Sequence, residues 1–118
     1  MNAMTVSKPM KTLLSTVAAM LLLGAATQAL ASGDAARGKQ KSVTCAACHG
    51  AEGNSASADF PRLAGQNEDY LAHVLAHYKG GVKRKNAIMM GMAAGLSEQD
   101  MADLAAWFAS QPGLAVKY

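Results

Sequence analysis

Apolar residues recur with helical rather than strand periodicity along this chain. Tyr70, Leu71, Val74, Leu75 and Tyr78 fall at spacings that lay them as one stripe along a helix. That pattern predicts a helix from Glu68 to Lys79, with Asn67 as its N-cap and Gly80-Gly81 as its flexible stop. Another helix is predicted from Glu98 to Ser110. There Ser97 and Asp100 approximate a capping box, and Leu96 and Met101 stand at the hydrophobic-staple positions. Leu104, Ala105 and Phe108 continue the buried face, and Pro112-Gly113 ends it. Ahead of both, Asp34 suits the start of a helix reaching about Thr44, because an anionic side chain meets free N–H groups at a helix N-terminus. No run alternates like a strand, so the fold class is all-α, with three main helices. The stretch from Gly50 to Gln66 has no periodicity. A loop of that length in a small domain usually has a function, here expected to be wrapping one face of a bound group.

The amino-terminal segment follows a different rule. Residues 1–31 carry Lys8 and Lys11, no acidic residue, an apolar run from Leu13 to Ala26, and the ending Ala29-Leu30-Ala31. A basic start, an apolar middle and an Ala-x-Ala end describe a secretory signal peptide cleaved after Ala31. The alternative is an uncleaved anchor, since the 19 residues from Leu13 to Ala31 are marginally long enough to span a bilayer. Thr12, Ser15, Thr16, Thr27 and Gln28 dilute that run and favour export to the periplasm. Cleavage leaves one domain, residues 32–118, and lowers the formal charge from +3 to +1 because both lysines depart. A chain so close to neutral excludes a nucleic-acid partner, and membrane contact is expected only through partner proteins. Such a short domain also has a marginal core unless something staples it.

Both cysteines and one of the three histidines lie within five residues, Cys45-Ala46-Ala47-Cys48-His49. The spacing C-x-x-C-H is the attachment signal for a c-type haem. Two thiols one helical turn apart can each add to a haem vinyl group, and the next histidine then lies under the iron as a neutral imidazole ligand. A dithiol redox motif would need a βαβ context that this chain lacks. A zinc site would need a fourth ligand, from His73 or His77. For the second axial position of the iron the candidates are Met89, Met90 and Met92, placed in a loop between the second and third helices, while Met101 reads as core. His73 and His77 compete for that position. They stand one helical turn apart, a geometry that can also hold a metal ion, yet they lie off or at the border of the apolar stripe and read as solvated.

These residues resemble bacterial class I cytochromes c, especially the small c553 type and the single-haem halves of diheme cytochrome c4. The resemblance runs through Gly33-Asp34-Ala35-Ala36-Arg37-Gly38-Lys39, the haem motif with Gly50, and Gly53-Asn54-Ser55. It continues through Phe60-Pro61-Arg62-Leu63-Ala64-Gly65-Gln66, Tyr70-Leu71, Met89-Met90-Gly91-Met92, Gly95-Leu96-Ser97 and Leu104-Ala105-Ala106-Trp107-Phe108. It implies a small fold wrapped around one covalent haem c, with iron held between His49 and a methionine. Counting back eight residues from Ser97, as in such proteins, gives Met89, with Met92 as runner-up. Pro61 matches the proline whose carbonyl accepts a hydrogen bond from the ligand imidazole, and Gly38 and Trp107 match the close crossing of first and last helices.

The implied activity is one-electron carriage between respiratory redox proteins, with no substrate bond made or broken. Partners of that kind are a membrane cytochrome complex, a terminal oxidase, or a periplasmic reductase or dehydrogenase. The alternatives are an electron-entry subunit of a larger oxidoreductase, or a haem enzyme or gas sensor with an open sixth position. Lys79, Lys83, Arg84 and Lys85 form a basic cluster, read either as a solvated turn or as a patch that steers acidic partners.

Overall fold

The computed structural model describes residues 32–113, so the expected export segment lies outside the described residues. Within them are five helices and no strand: α1 (Ala35–Lys41), α2 (Val43–His49), α3 (Glu68–Gly80), α4 (Ala87–Ala94) and α5 (Glu98–Ala109). Helix α5 is the hub. It packs against α1 on one side and α3 on the other, and α3 also packs against α4.

Local signals set the helix ends where the sequence placed them. Asn67 accepts a hydrogen bond from the Tyr70 N–H at the start of α3, and Gly81, at φ 64°, closes its end in the left-handed region. At α5 the capping box is complete. The Ser97 hydroxyl accepts from the Asp100 N–H at 3.0 Å, and the Asp100 carboxylate accepts from the Ser97 N–H at 2.8 Å. Met101 is buried as expected. Only part of the α3 stripe is buried: Leu71 is in the core and Ala72 and Leu75 pack against it, whereas Tyr70 is exposed.

Two segments depart from expectation. The first predicted helix is two, because Ser42 turns its hydroxyl back to the Lys39 carbonyl at 2.8 Å. Such back-bonding competes with the helical ladder and bends the chain, so the haem motif lies on its own helix, α2. The predicted methionine loop is helix α4, started by Asn86, whose side chain accepts from the Met89 N–H at 3.0 Å.

Helices α1 and α5 cross at contact distance because glycines face α5. A Cβ on Gly38 would lie 1.9 Å from the Asp103 carbonyl oxygen and 2.8 Å from Trp107 Cβ. One on Gly33 would lie 2.1 Å from the Ala102 oxygen. The crossing is locked by Asp103, which is completely buried. Its carboxylate accepts from Arg37 Nε (3.0 Å) and Nη2 (3.2 Å), the Asp34 backbone N–H (2.9 Å), Gln99 Nε2 (2.8 Å) and Lys41 Nζ (3.0 Å). The Arg37 hydrogen bonds, followed by those of Asp34, Gln99 and Lys41, hold this carboxyl well below the usual carboxylate range despite its burial.

A carboxyl whose pKa is lowered by folding stabilises the fold above its unfolded value of about 3.9 and loses that contribution as pH falls through the folded value. Acidification below about pH 4 should therefore destabilise the protein. Asp103→Asn should be less stable by about 2 kcal/mol at pH 7 and lose much of this acid dependence. Thermal melts of both proteins between pH 2 and 7 check it, and parallel curves would contradict it.

Candidate haem-binding site

Helix α2 presents the two thiols. Ala46 and Ala47 separate them without bulk, and a spacing of three puts Cys45 and Cys48 on one helix face. Both are free and half-buried. Cys45 packs against the core of Leu71, Leu104, Ala105 and Phe108. Burial pushes its thiol up, and the neighbouring Cys48 adds to this, outweighing a hydrogen bond with Thr44.

His49 ends α2 and is 6% exposed. Its Nδ1 lies 2.8 Å from the Pro61 carbonyl oxygen. A carbonyl only accepts, so Nδ1 carries the proton and Nε2 keeps its lone pair. This is the arrangement that orients a metal-ligating imidazole and raises its basicity. Phe60 supports the ring edge-on, with centroids 6.2 Å apart. The loop that brings Pro61 here is pinned from both sides. The Ser55 N–H donates to the His49 carbonyl at 2.8 Å, and the Leu63 and Ala64 N–H groups both donate to the Gly53 carbonyl, at 2.7 and 3.1 Å. Gly53 has φ 79°, and a Cβ there would meet Phe108 Cδ1 at 2.7 Å, so only glycine fits. Residues 50–66 thus wrap onto His49. The clamp at Gly53 and Ser55 was not legible as a role, since its bonds are made by backbone atoms.

The four methionines outside residues 1–31 separate by environment. Met101 is buried in the core, Met92 is 42% exposed, and Met89 and Met90 are half-buried. Met90 lies against the turn after α3, its Cε 3.0 Å from where a Gly81 Cβ would stand.

Two members of the basic cluster have partners of their own. Lys79 donates to the Leu96 carbonyl. Arg84 donates to the Tyr70 hydroxyl at 3.2 Å and lies 5.9 and 5.8 Å from the Tyr70 and Tyr78 rings. His73 and His77 stand apart from the cysteine helix. Among the described residues no three His, Cys, Asp or Glu side chains are grouped so that they could hold a metal ion.

The residues fit a haem. Two free thiols share a face of α2, and the adjacent imidazole has its far nitrogen available. The buried hydrophobic residues among those described include four alanines and only four larger side chains, Leu71, Met101, Leu104 and Phe108. So thin a core calls for another apolar body. No helix among the described residues is long and apolar enough to cross a membrane.

The family profile described as Cytochrome c matches residues 35–112. The chain is 50% identical over 95 residues to cytochrome c4 of Pseudomonas aeruginosa, a match covering 80% of this chain and 47% of that protein. It is 43% identical over 82 residues to cytochrome c-554(548) of Halomonas halodenitrificans, covering 68% of this chain and 99% of that one. A thiosulfate dehydrogenase electron acceptor of Thiomonas intermedia is 44% identical over 69 residues, covering 58% of this chain and 31% of that protein. The crystal structure of reduced recombinant cytochrome c4 from Pseudomonas stutzeri matches with a TM-score of 0.68 at 46% identity, covering 70% of this chain and 48% of that one.

The chain belongs to the cytochrome c family and has the class I cytochrome c fold. Its cofactor is haem c, covalently held with its iron, and Cys45 and Cys48 are present to attach it. The chain spans about half the length of the cytochrome c4 relatives it matches.

Proposed function

We propose that this chain is a periplasmic one-electron carrier holding one haem c between His49 and Met89, and not an enzyme. The observation that carries the reading is the His49–Pro61 hydrogen bond, made inside a loop pinned at Gly53 and Ser55. It presets the tautomer and aim of an axial imidazole, so little needs to rearrange when an electron arrives. When bound, the haem supplies an iron that gains or loses one electron at a potential set by its ligands and burial.

The chain's own residues do the rest. Cys45 and Cys48 fix the group to α2, and Pro61 strengthens His49 as a donor. Met89 provides the soft sulfur that favours the reduced state. Its environment supports the choice: Met101 is in the core, Met90 packs on the Gly81 turn, and Met92 is exposed. Residues 1–31 would act as an export signal cleaved after Ala31. Partners would be respiratory redox proteins such as a membrane cytochrome complex, a terminal oxidase or a periplasmic dehydrogenase, met through small transient interfaces.

The test is Met89→Ala beside Met92→Ala, each exported with haem attached. Met89→Ala should lose the weak far-red iron–sulfur absorption band, bind carbon monoxide when reduced, and show a lower reduction potential. Met92→Ala should keep the wild-type spectrum. An unchanged Met89→Ala spectrum would refute this ligand.

A further inference from the structure

We propose that His73 and His77 form a second metal site, a two-imidazole chelate for divalent copper, zinc or nickel on the outer face of α3. The two residues stand one turn apart and turn away from the Leu71, Ala72 and Leu75 face that packs into the core. His73 is exposed and His77 half-buried. Their ring centroids are 6.4 Å apart with planes inclined at 63°.

The second observation is a preset tautomer. His73 Nδ1 lies 2.7 Å from the Asp69 carbonyl oxygen. That oxygen can only accept, so Nδ1 carries the proton and the Nε2 lone pair is left for a ligand. A ring nitrogen tied to a backbone carbonyl is the habitual support of a metal-bound histidine. His77 lies in the last turn of α3, at the end of the helix whose dipole favours a cation, with its own carbonyl capped by the Gly81 N–H.

The distances suit one ion. A metal–nitrogen bond of about 2.1 Å puts a ring centroid about 3.2 Å from the metal, so two rings at a tetrahedral angle have centroids about 5.2 Å apart. Closing the observed 6.4 Å separation to that value needs a ring shift of about 1 Å, which falls to the His77 side chain while His73 keeps its bond to the Asp69 carbonyl. No third His, Cys, Asp or Glu joins the pair among the described residues. Water must fill the remaining positions, and the ion is exchangeable rather than structural. Imidazole donors select copper over nickel and zinc, and leave the hard cations magnesium and calcium unbound.

The test titrates zinc chloride, then copper(II), into oxidised haem-loaded protein freed of metals by chelator and gel filtration. Calorimetry should show one saturable zinc site, tighter binding of copper, and no heat with magnesium. His73→Gln and His77→Gln should each weaken zinc binding by at least about tenfold, because one imidazole alone loses the chelate. Both variants should keep the wild-type haem spectrum. If a substitution disturbs that spectrum, the alanine variant at the same position gives the reading. Absence of saturable binding in the parent protein, or undiminished affinity in either variant, overturns the site.

Discussion

Replacing Cys45 and Cys48 together by alanine should give a protein with no covalently attached haem that fails to reach the native fold at 25 °C. Covalent attachment depends on those thiols, which are free and share one face of α2. The folding failure follows from the core. Half of the buried hydrophobic residues among those described are alanines, and a domain of this size has little apolar surface to spare. Cys45 is also part of the packing around Leu71 and Phe108, so the attachment point and the core coincide. Mass spectrometry of the purified chain and its far-ultraviolet circular dichroism decide the matter. Haem that stays attached through denaturation, or a wild-type melt without haem, would refute the argument.

Gly38→Leu should abolish the α1–α5 crossing, at a cost of about 3 kcal/mol or more. Even the first carbon of a side chain would lie 1.9 Å from the Asp103 carbonyl oxygen, which is backbone and cannot rotate aside. The helices would have to separate, and the buried Asp103 carboxylate would lose the Arg37 and Lys41 partners that reach it from α1. In a small domain each kcal/mol lowers the melting temperature by roughly 4–8 °C, so the variant should melt far below wild type or not fold. A melt that matches wild type would show that the crossing does not depend on glycine.

What the sequence revealed follows from how local each cause is. The ends of α3 and α5 were legible because Asn67, Gly81, Ser97 and Asp100 act within four residues of themselves. Gly38 was legible only through the family resemblance, and the structure supplies its reason. The break at Ser42 was not legible, because a serine that bonds back to a carbonyl looks the same in sequence as one facing water. Met89, Met90 and Met92 were read as loop residues because α4 has no polar face to give it a period, and only the Asn86 cap signals its start. The largest omission was Asp103. An acidic residue beside Leu104 reads as an exposed position, and its burial depends on Arg37 and Lys41, more than 60 residues away. At the proposed haem site the candidates Cys45, Cys48 and His49 stand out in sequence by spacing alone. The Gly53 and Ser55 clamp that steadies His49 is made by backbone atoms and leaves no compositional trace.

The most direct test of the central claim is the visible absorption spectrum of the haem-loaded protein, oxidised and then reduced, with and without carbon monoxide. A carrier with His49 and Met89 on the iron should give a low-spin spectrum with the weak far-red band of an iron–sulfur bond, unchanged by carbon monoxide. A high-spin reduced spectrum that shifts with carbon monoxide would show an open iron, and the chain would then be a haem enzyme or gas sensor rather than a closed electron carrier.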